Sequence, residues 1–443
     1  MFGFFQSENS KLRGAAKNWL YLGHKVYNFR KDELSEVEIS ELGQRMSELR
    51  GQLKSKTADA GKLKLAIEGV EGHMRKVGGA FYPQSMFSEN VDFILYFLII
   101  YLGLTAFFIK PFKIPTNSMW PTYSGMTSEV WTDDTSAPGF LNRAFRAVAF
   151  GAVRYDLEAP VDGELLIPIW PGRHESILPV SQVSKRHHLI IPGKGNGFVF
   201  EVGGEQVMVK TPVDFDLTRG MPMGDEQGKS ILGKAWFPNE PSFFDSIQKR
   251  IGEGNVARRG RMTLADGRTT DVVLVKSGLF FKKGDTMLSF DLHTGDQLFV
   301  DRMSYHFVKP KVGDGFVFKT GEVDGLKSGR DSFYIKRLSG VEGDSMRIED
   351  GKLFVNEEEP TGSVAFGYNN GQVPPYDGYL NLGNRLLRRG ETITVPEGMH
   401  VALGDNSGNS SDSRAWGYVP EKAIVGRPVM IFYPFTKRFG LAK

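Results

Sequence analysis

The sequence predicts a mainly β protein with one membrane-spanning helix, preceded by an α-helical hairpin. Three observations carry this prediction. Apolar residues spaced three and four apart recur through the first 90 positions. One unbroken apolar run follows at residues 91–109, VDFILYFLIIYLGLTAFFI. Beyond it, short apolar runs alternate with Gly, Pro and Asp, in a chain that holds 52 Gly and 33 Phe. Such usage favours strands and turns over a helical bundle.

A chain of 443 residues has room for two or three domains. Its formal net charge of +3 is too small to argue for nucleic acid or a polyanionic substrate. There is no cysteine, so disulfides, thiolate catalysis and cysteine metal sites are excluded.

Residues 1–90 form the first region. Leu34, Val37, Leu42, Met46, Leu49 and Leu53 mark one helical stripe, and Leu63, Ile67, Val70, Met74 and Val77 mark another. The break at Thr57-Ala58-Asp59-Ala60-Gly61 makes the pair a hairpin. Residues 2–27, with Trp19, Tyr21 and several basic side chains, have the composition of a segment lying on a membrane surface. The run 91–109 is about long enough to cross the hydrocarbon core, and it lies too far from the N-terminus to be a cleaved leader. Arg75 and Lys76 upstream place residues 1–90 in the cytoplasm by the positive-inside rule, although Lys110 and Lys113 weigh the other way.

Residues 123–290 read as β-rich, with one short amphipathic helix at 140–153 and strands around 164–167, 198–200, 207–209 and 272–275. The stretches 159–164 and 277–285 resemble the two halves of a hybrid-motif barrel of the biotinyl–lipoyl kind; no lysine stands where such a domain carries its cofactor. The glycine-rich run Gly193-Lys194-Gly195-Asn196-Gly197 reads as a turn. Residues 291–443 are again strand-rich, with Gly-Asp turns between strands and a last strand at 429–433.

The chemistry is sparse. None of the eight histidines falls in a ligand spacing, and His187-His188 reads as a surface pair. No phosphate loop, metal motif or cofactor motif is present. Two features remain. Ser118 sits between Pro115 and Pro121, which stiffen the chain into an irregular loop just beyond the apolar run. Lys336 lies inside an apolar strand, on the face of Tyr334 and Leu338. A lysine stripped of water loses part of its affinity for a proton and becomes a usable base.

Around these two residues the sequence resembles the bacterial type I signal peptidases, membrane-anchored Ser–Lys proteases. PTNSMWPT at 115–122 resembles their nucleophile box. GDQLFVDRMSY at 295–305, GDGFVF at 313–318, YIKRLSGVEGD at 334–344 and GDNSGNSSDSRAWGYVP at 404–420 are similar to the boxes that follow, in the family's order. The likeness covers about residues 91–122 and 294–435.

The resemblance implies a signal-peptidase-like β-fold made from residues 110–122 and 291–443, with 123–290 as an insertion. It implies Ser118 as nucleophile and Lys336 as general base. The Ser118 N–H and the Thr116 hydroxyl would form the oxyanion hole. Ser410 would orient the Lys336 amine, Asp412 and Arg414 would hold the last box in place, and Asp405 and Asn406 would support it. Met119 and Trp120 would touch the bilayer. The implied substrates are secretory preproteins with Ala-x-Ala signal peptides, cut outside the inner (plasma) membrane without metal or cofactor. Two departures stand out: Ser407 where the family often has Arg, and Glu342 where it often has Pro. An inactive scaffold and a self-cleaving Ser–Lys protease share the fold; retention of both Ser118 and Lys336 opposes the first, and the membrane span opposes the second.

Overall fold

The structure is a computed structural model that describes residues 8–442, apart from 56–58, 84–85, 133–136, 172–177, 188–190, 219–228, 327–331, 375 and 381–384. The chain divides into two compact units, Met1–Leu102 and Gly103–Lys443.

The first unit differs from a hairpin. Glu36–Lys54 and Ala60–Val77 are the expected helices, and a third, Glu8–Arg30, packs on both. Leu42, Met46, Leu49, Leu63, Ile67, Val70, Met74 and Val77 are buried with Ala16, Leu20 and Val26 from the first helix. Ala16, Leu20 and Val26 take one face of Glu8–Arg30 into the bundle, where Trp19 meets Tyr82 edge-on at 5.6 Å, and Tyr21 stays exposed. Val37 departs from the stripe and is exposed. Ser35 caps the second helix reciprocally with Glu38, which satisfies two end donors at once. Thr57 and Ala58 of the expected break lie outside the described residues, as do His174, His188 and residues 2–7; Ala60 and Gly61 already belong to the third helix.

The helix Met86–Phe107 contains a span of 19 residues, Glu89–Phe107, long and apolar enough to cross a bilayer. It runs on into the strand Ile109–Lys113.

The main sheet of the second unit has eight strands. Seven run in the order Ile109–Lys113, Gln297–Asp301, Ile424–Tyr433, Gly315–Lys319, Phe333–Gly340, Met399–Leu403 and Val419–Pro420, and Gly440–Leu441 adds to Ile424–Tyr433. A three-stranded sheet, centred on Ser345–Glu349, packs Met346, Ile348 and Leu353 against Val401 and Leu403. All described neighbours in these sheets are antiparallel.

The insertion has a separate core. A six-stranded sheet and the helices Ile231–Trp236 and Phe243–Gly252 bury Leu165, Ile167, Phe198, Phe200, Trp236 and Phe243. The two stretches likened to barrel halves come together: Gly163 pairs with Phe281 and Glu164 with Phe280. The run at 193–197 is not a turn. It lies within the strand Ile191–Val202, between Val180–His187 and Glu205–Pro212, and pairing on both sides overrides the glycine signal. Residue 290 is no seam either, because the strand Thr286–His293 crosses it and pairs with Thr127–Val130 and Val153–Glu158.

Candidate active site

The segment between Lys113 and Thr127 holds no strand or α-helix. Its path is fixed by hydrogen bonds to neighbours. The Ile114 N–H donates to the Asp296 carbonyl at 2.8 Å, and the Ser124 N–H donates to the buried Asp296 carboxylate at 2.7 Å. The Gly125 N–H donates to Asn117 Oδ1 at 2.7 Å. Two glycines permit the close packing: a Cβ on Gly295 would lie 1.8 Å from the Ile114 carbonyl oxygen, and one on Gly404 would lie 2.6 Å from that of Ser118. The stiff serine loop thus owes its shape as much to Asp296, Asn117 and two glycines as to its prolines.

Lys336 arrives on the strand Phe333–Gly340, which pairs with Gly315–Lys319 and Met399–Leu403. Its Nζ lies 2.8 Å from Ser118 Oγ, and both side chains are buried. Burial draws the amine pKa down to about 8; Asp412 and Asp405 oppose that shift and Arg414 adds to it. Ser118 and Lys336 line one wall of a cleft of about 650 Å³. Thr116, Ile114, Phe112, Ile335 and Phe333 continue it, and Asp214 of the insertion stands at its edge.

The next residue, Arg337, points to the opposite side, as strand alternation requires. Its Nε donates to Asp405 Oδ1 at 2.9 Å, and Thr122 joins the pair by donating to Asp405 Oδ2 and accepting from Arg337. Two buried ion pairs brace the site, this one and Arg414–Asp412, whose Nε–Oδ1 distance is 2.8 Å. Ser407, where the family often has Arg, accepts from Arg414 through both its hydroxyl and its carbonyl. Glu342 accepts from the Gly398 N–H at 3.0 Å. The Asn406 N–H donates to the Ser118 carbonyl at 3.0 Å, so the last box grips Ser118 directly.

Two expectations fail. Ser410 lines the cleft, but its buried Oγ makes no hydrogen bond among the described residues. The hydroxyl rests over Gly404, where a Cβ would lie 2.1 Å from it, and the Lys336 amine turns to Ser118 instead. Met119 cannot touch a bilayer, because it is fully buried with Tyr123, Leu298 and Ile431. Trp120 is half-buried and stacks on Tyr376 at 5.4 Å. No group of acidic residues and histidines that could hold a metal occurs among the described residues.

A buried lysine with a lowered pKa, 2.8 Å from a buried hydroxyl at the wall of a cleft, is an arrangement able to activate a serine for acyl transfer when the amine is neutral. The family model "Signal peptidase, peptidase S26" matches residues 279–433. A probable signal peptidase I-1 of Synechocystis sp. is 31% identical over 156 residues, 34% of this chain and 69% of that protein. Signal peptidase I of Leptolyngbya laminosa is 34% identical over 149 residues, 33% of this chain and 64% of that protein. Signal peptidase I T of Bacillus subtilis is 31% identical over 147 residues, 33% of this chain and 69% of that protein. The chain belongs to the signal peptidase family, peptidase S26, a family of serine endopeptidases. About two thirds of its residues lie outside each of these matches, and the family model leaves out residues 1–278, with the three-helix bundle, Ser118 and most of the insertion.

Removing one partner of a buried ion pair strands the other charge. Arg414→Met is therefore expected to lower unfolding stability by about 3–5 kcal/mol. Arg427→Met, at a half-exposed pair with Asp301, is expected to change it by less than about 1 kcal/mol. Denaturant melts followed by tryptophan fluorescence compare the two, and equal losses would contradict the structural role of Arg414.

Proposed function

We propose that this protein removes signal peptides from secretory preproteins at a membrane surface, with Ser118 as nucleophile and Lys336 as general base. The contact between Lys336 Nζ and Ser118 Oγ, 2.8 Å in a buried setting, is the observation that carries the reading. An inactive scaffold has no need to hold a lysine dehydrated against a serine.

The substrate lies extended in the cleft between residues 113–118 and 333–336, where apolar walls accept the small side chains of an Ala-x-Ala sequence. The neutral amine of Lys336 takes the Ser118 proton as Oγ bonds to the scissile carbonyl carbon. The negative charge that develops on the carbonyl oxygen is met by the Ser118 N–H and the Thr116 hydroxyl. The C–N bond then breaks, the leaving amine takes the proton from Lys336, and an acyl-enzyme remains. Water gives a proton to Lys336, attacks the ester carbon and releases the signal peptide, and Ser118 recovers its proton. Asn406, Asp405, Asp412 and Arg414 position the two reacting side chains.

Ser118→Ala and Lys336→Met should each lower kcat/KM on a preprotein by about 10³-fold or more. Retention of near-normal cleavage by either variant would remove that residue from the mechanism.

The pH dependence follows from Lys336. Its amine is the base only when neutral, and its pKa is near 8. The neutral fraction is about a tenth at pH 7 and rises with pH, levelling off above about 9. The rate of cleavage should follow this curve; a flat profile between pH 6 and 9 would contradict it.

Residues 91–109 anchor the chain in the inner (plasma) membrane, with the N-terminal bundle in the cytoplasm and the second unit outside. Arg75 and Lys76 before the span support this orientation, against Lys110 and Lys113 beyond it. Protease added to spheroplasts should digest the second unit and spare the bundle, whereas digestion of the bundle would reverse the topology.

A further inference from the structure

The helix Phe140–Phe150 is mounted the wrong way round for a soluble surface helix. At 3.6 residues per turn, Phe140, Leu141, Ala144, Phe145 and Val148 share an arc of about 140°. A helix on a soluble domain turns such an arc inward. Here Phe140 is 83%, Leu141 82%, Phe145 63% and Val148 72% exposed.

The opposite side holds the helix to the domain. Arg146 forms ion pairs with Glu129 and Asp291 and lies over the Trp131 ring, and Phe150 stacks on His293. Ala149 is the only described residue of the helix that is fully buried. The face of Arg146, Ala149 and Phe150 is therefore the anchored one, and the larger apolar arc is presented outward.

A second element extends this surface. The Phe435 N–H donates to the Ala149 carbonyl at 3.0 Å, and Tyr433 Oη donates to that of Val148 at 3.0 Å. The C-terminal loop thereby sets Phe435, 56% exposed, and Phe439, 46% exposed, beside the helix. Charge accompanies the apolar groups. The helix contains two arginines and no acidic residue, Arg143 is exposed, and the loop adds exposed Lys437. Arg438 fixes the loop to buried Asp296 at 2.9 Å, and Asp296 also holds Ser124 in the nucleophile segment.

We infer that Phe140–Phe150 and the loop 435–439 form a docking platform for the surface of a bilayer containing anionic lipid. Exposed phenylalanines with basic neighbours and no acidic side chain in the helix match an interfacial segment, whose apolar face sinks to the boundary of headgroups and acyl chains. A second copy of the chain would set Arg143 and Lys437 against the same charges. The apolar helix in the same chain keeps a bilayer within reach, so the inference rests on the membrane anchoring proposed above. Through Arg438 and Asp296, docking here fixes the orientation of the loop that carries Ser118.

The absence of native cysteine gives single labelling sites. Leu141→Cys, Val148→Cys, Leu98→Cys in the span and Lys282→Cys on the insertion each receive an environment-sensitive fluorophore. The full-length chain is then reconstituted in vesicles of phosphatidylethanolamine and phosphatidylglycerol, with and without lipid-borne nitroxides. We expect blue-shifted emission and nitroxide quenching at Leu141 and Val148, strongest with shallow nitroxides, and none at Lys282. Arg143→Glu with Lys437→Glu should weaken the quenching at Leu141. Solvent-like, unquenched emission at Leu141 and Val148 overturns the platform. A blue shift without quenching also overturns it, since protein and not lipid then covers the helix. Leu98 separates the two readings: loss of quenching there counts against the anchor, whereas quenching there without quenching at Leu141 counts against the platform alone.

Discussion

Everything around the cleft serves one constraint: a lysine side chain must be kept out of water beside a serine. A solvated Lys336 would stay protonated at neutral pH and could not accept a proton. Dehydration alone, however, leaves a buried cation where folding disfavours it. The protein resolves this by placing carboxylates at a distance. Asp405 and Asp412 oppose the downward shift, yet each is already bound to its own arginine. The amine is drawn down to about 8, which leaves it partly neutral under ordinary conditions without stripping it of all polar contact.

The two ion pairs also explain how a site built from distant segments stays in register. Arg337 follows Lys336 on the same strand and grips Asp405 of the last box, while Thr122 of the serine segment joins the pair. The three segments that carry Ser118, Lys336 and Asp405 are therefore linked by one small polar network beneath the cleft. Arg414 does the same within the last box and makes use of Ser407, so the departure from the family's usual Arg leaves the network satisfied.

What could be read from the sequence follows physical range. Short-range rules found the apolar span, about half of the described strands, the stripes of the second and third helices, and the alternation that sets Lys336 and Arg337 on opposite sides. Motif resemblance supplied Ser118, Asp405 and Asn406. The missing pieces were long-range. Nothing local to Met119 says that Leu298 and Ile431 will enclose it, and nothing local to Asp296 says that it will hold Ser124. Glycine at 193–197 signalled a turn because propensity knows nothing of the two strands that flank it. The helix 140–150 was legible as amphipathic, but the direction of its apolar face was not, because that depends on Glu129, Asp291 and His293.

Ser118 and Lys336 stand 218 positions apart, and the long insertion between them has its own core. As an unstructured loop, such a length would add entropy to the closure of the catalytic sheet. Once folded, it brings its two ends together, because Thr127–Val130 and Thr286–His293 are neighbours in one sheet. The insertion is thus a clasp: it leaves the main sheet after Ser118 and returns beside its own starting point before Lys336, so that 218 positions of chain separate two side chains that touch. The spacing of the cleft's two walls therefore leans on a hydrophobic core none of whose residues lines the cleft.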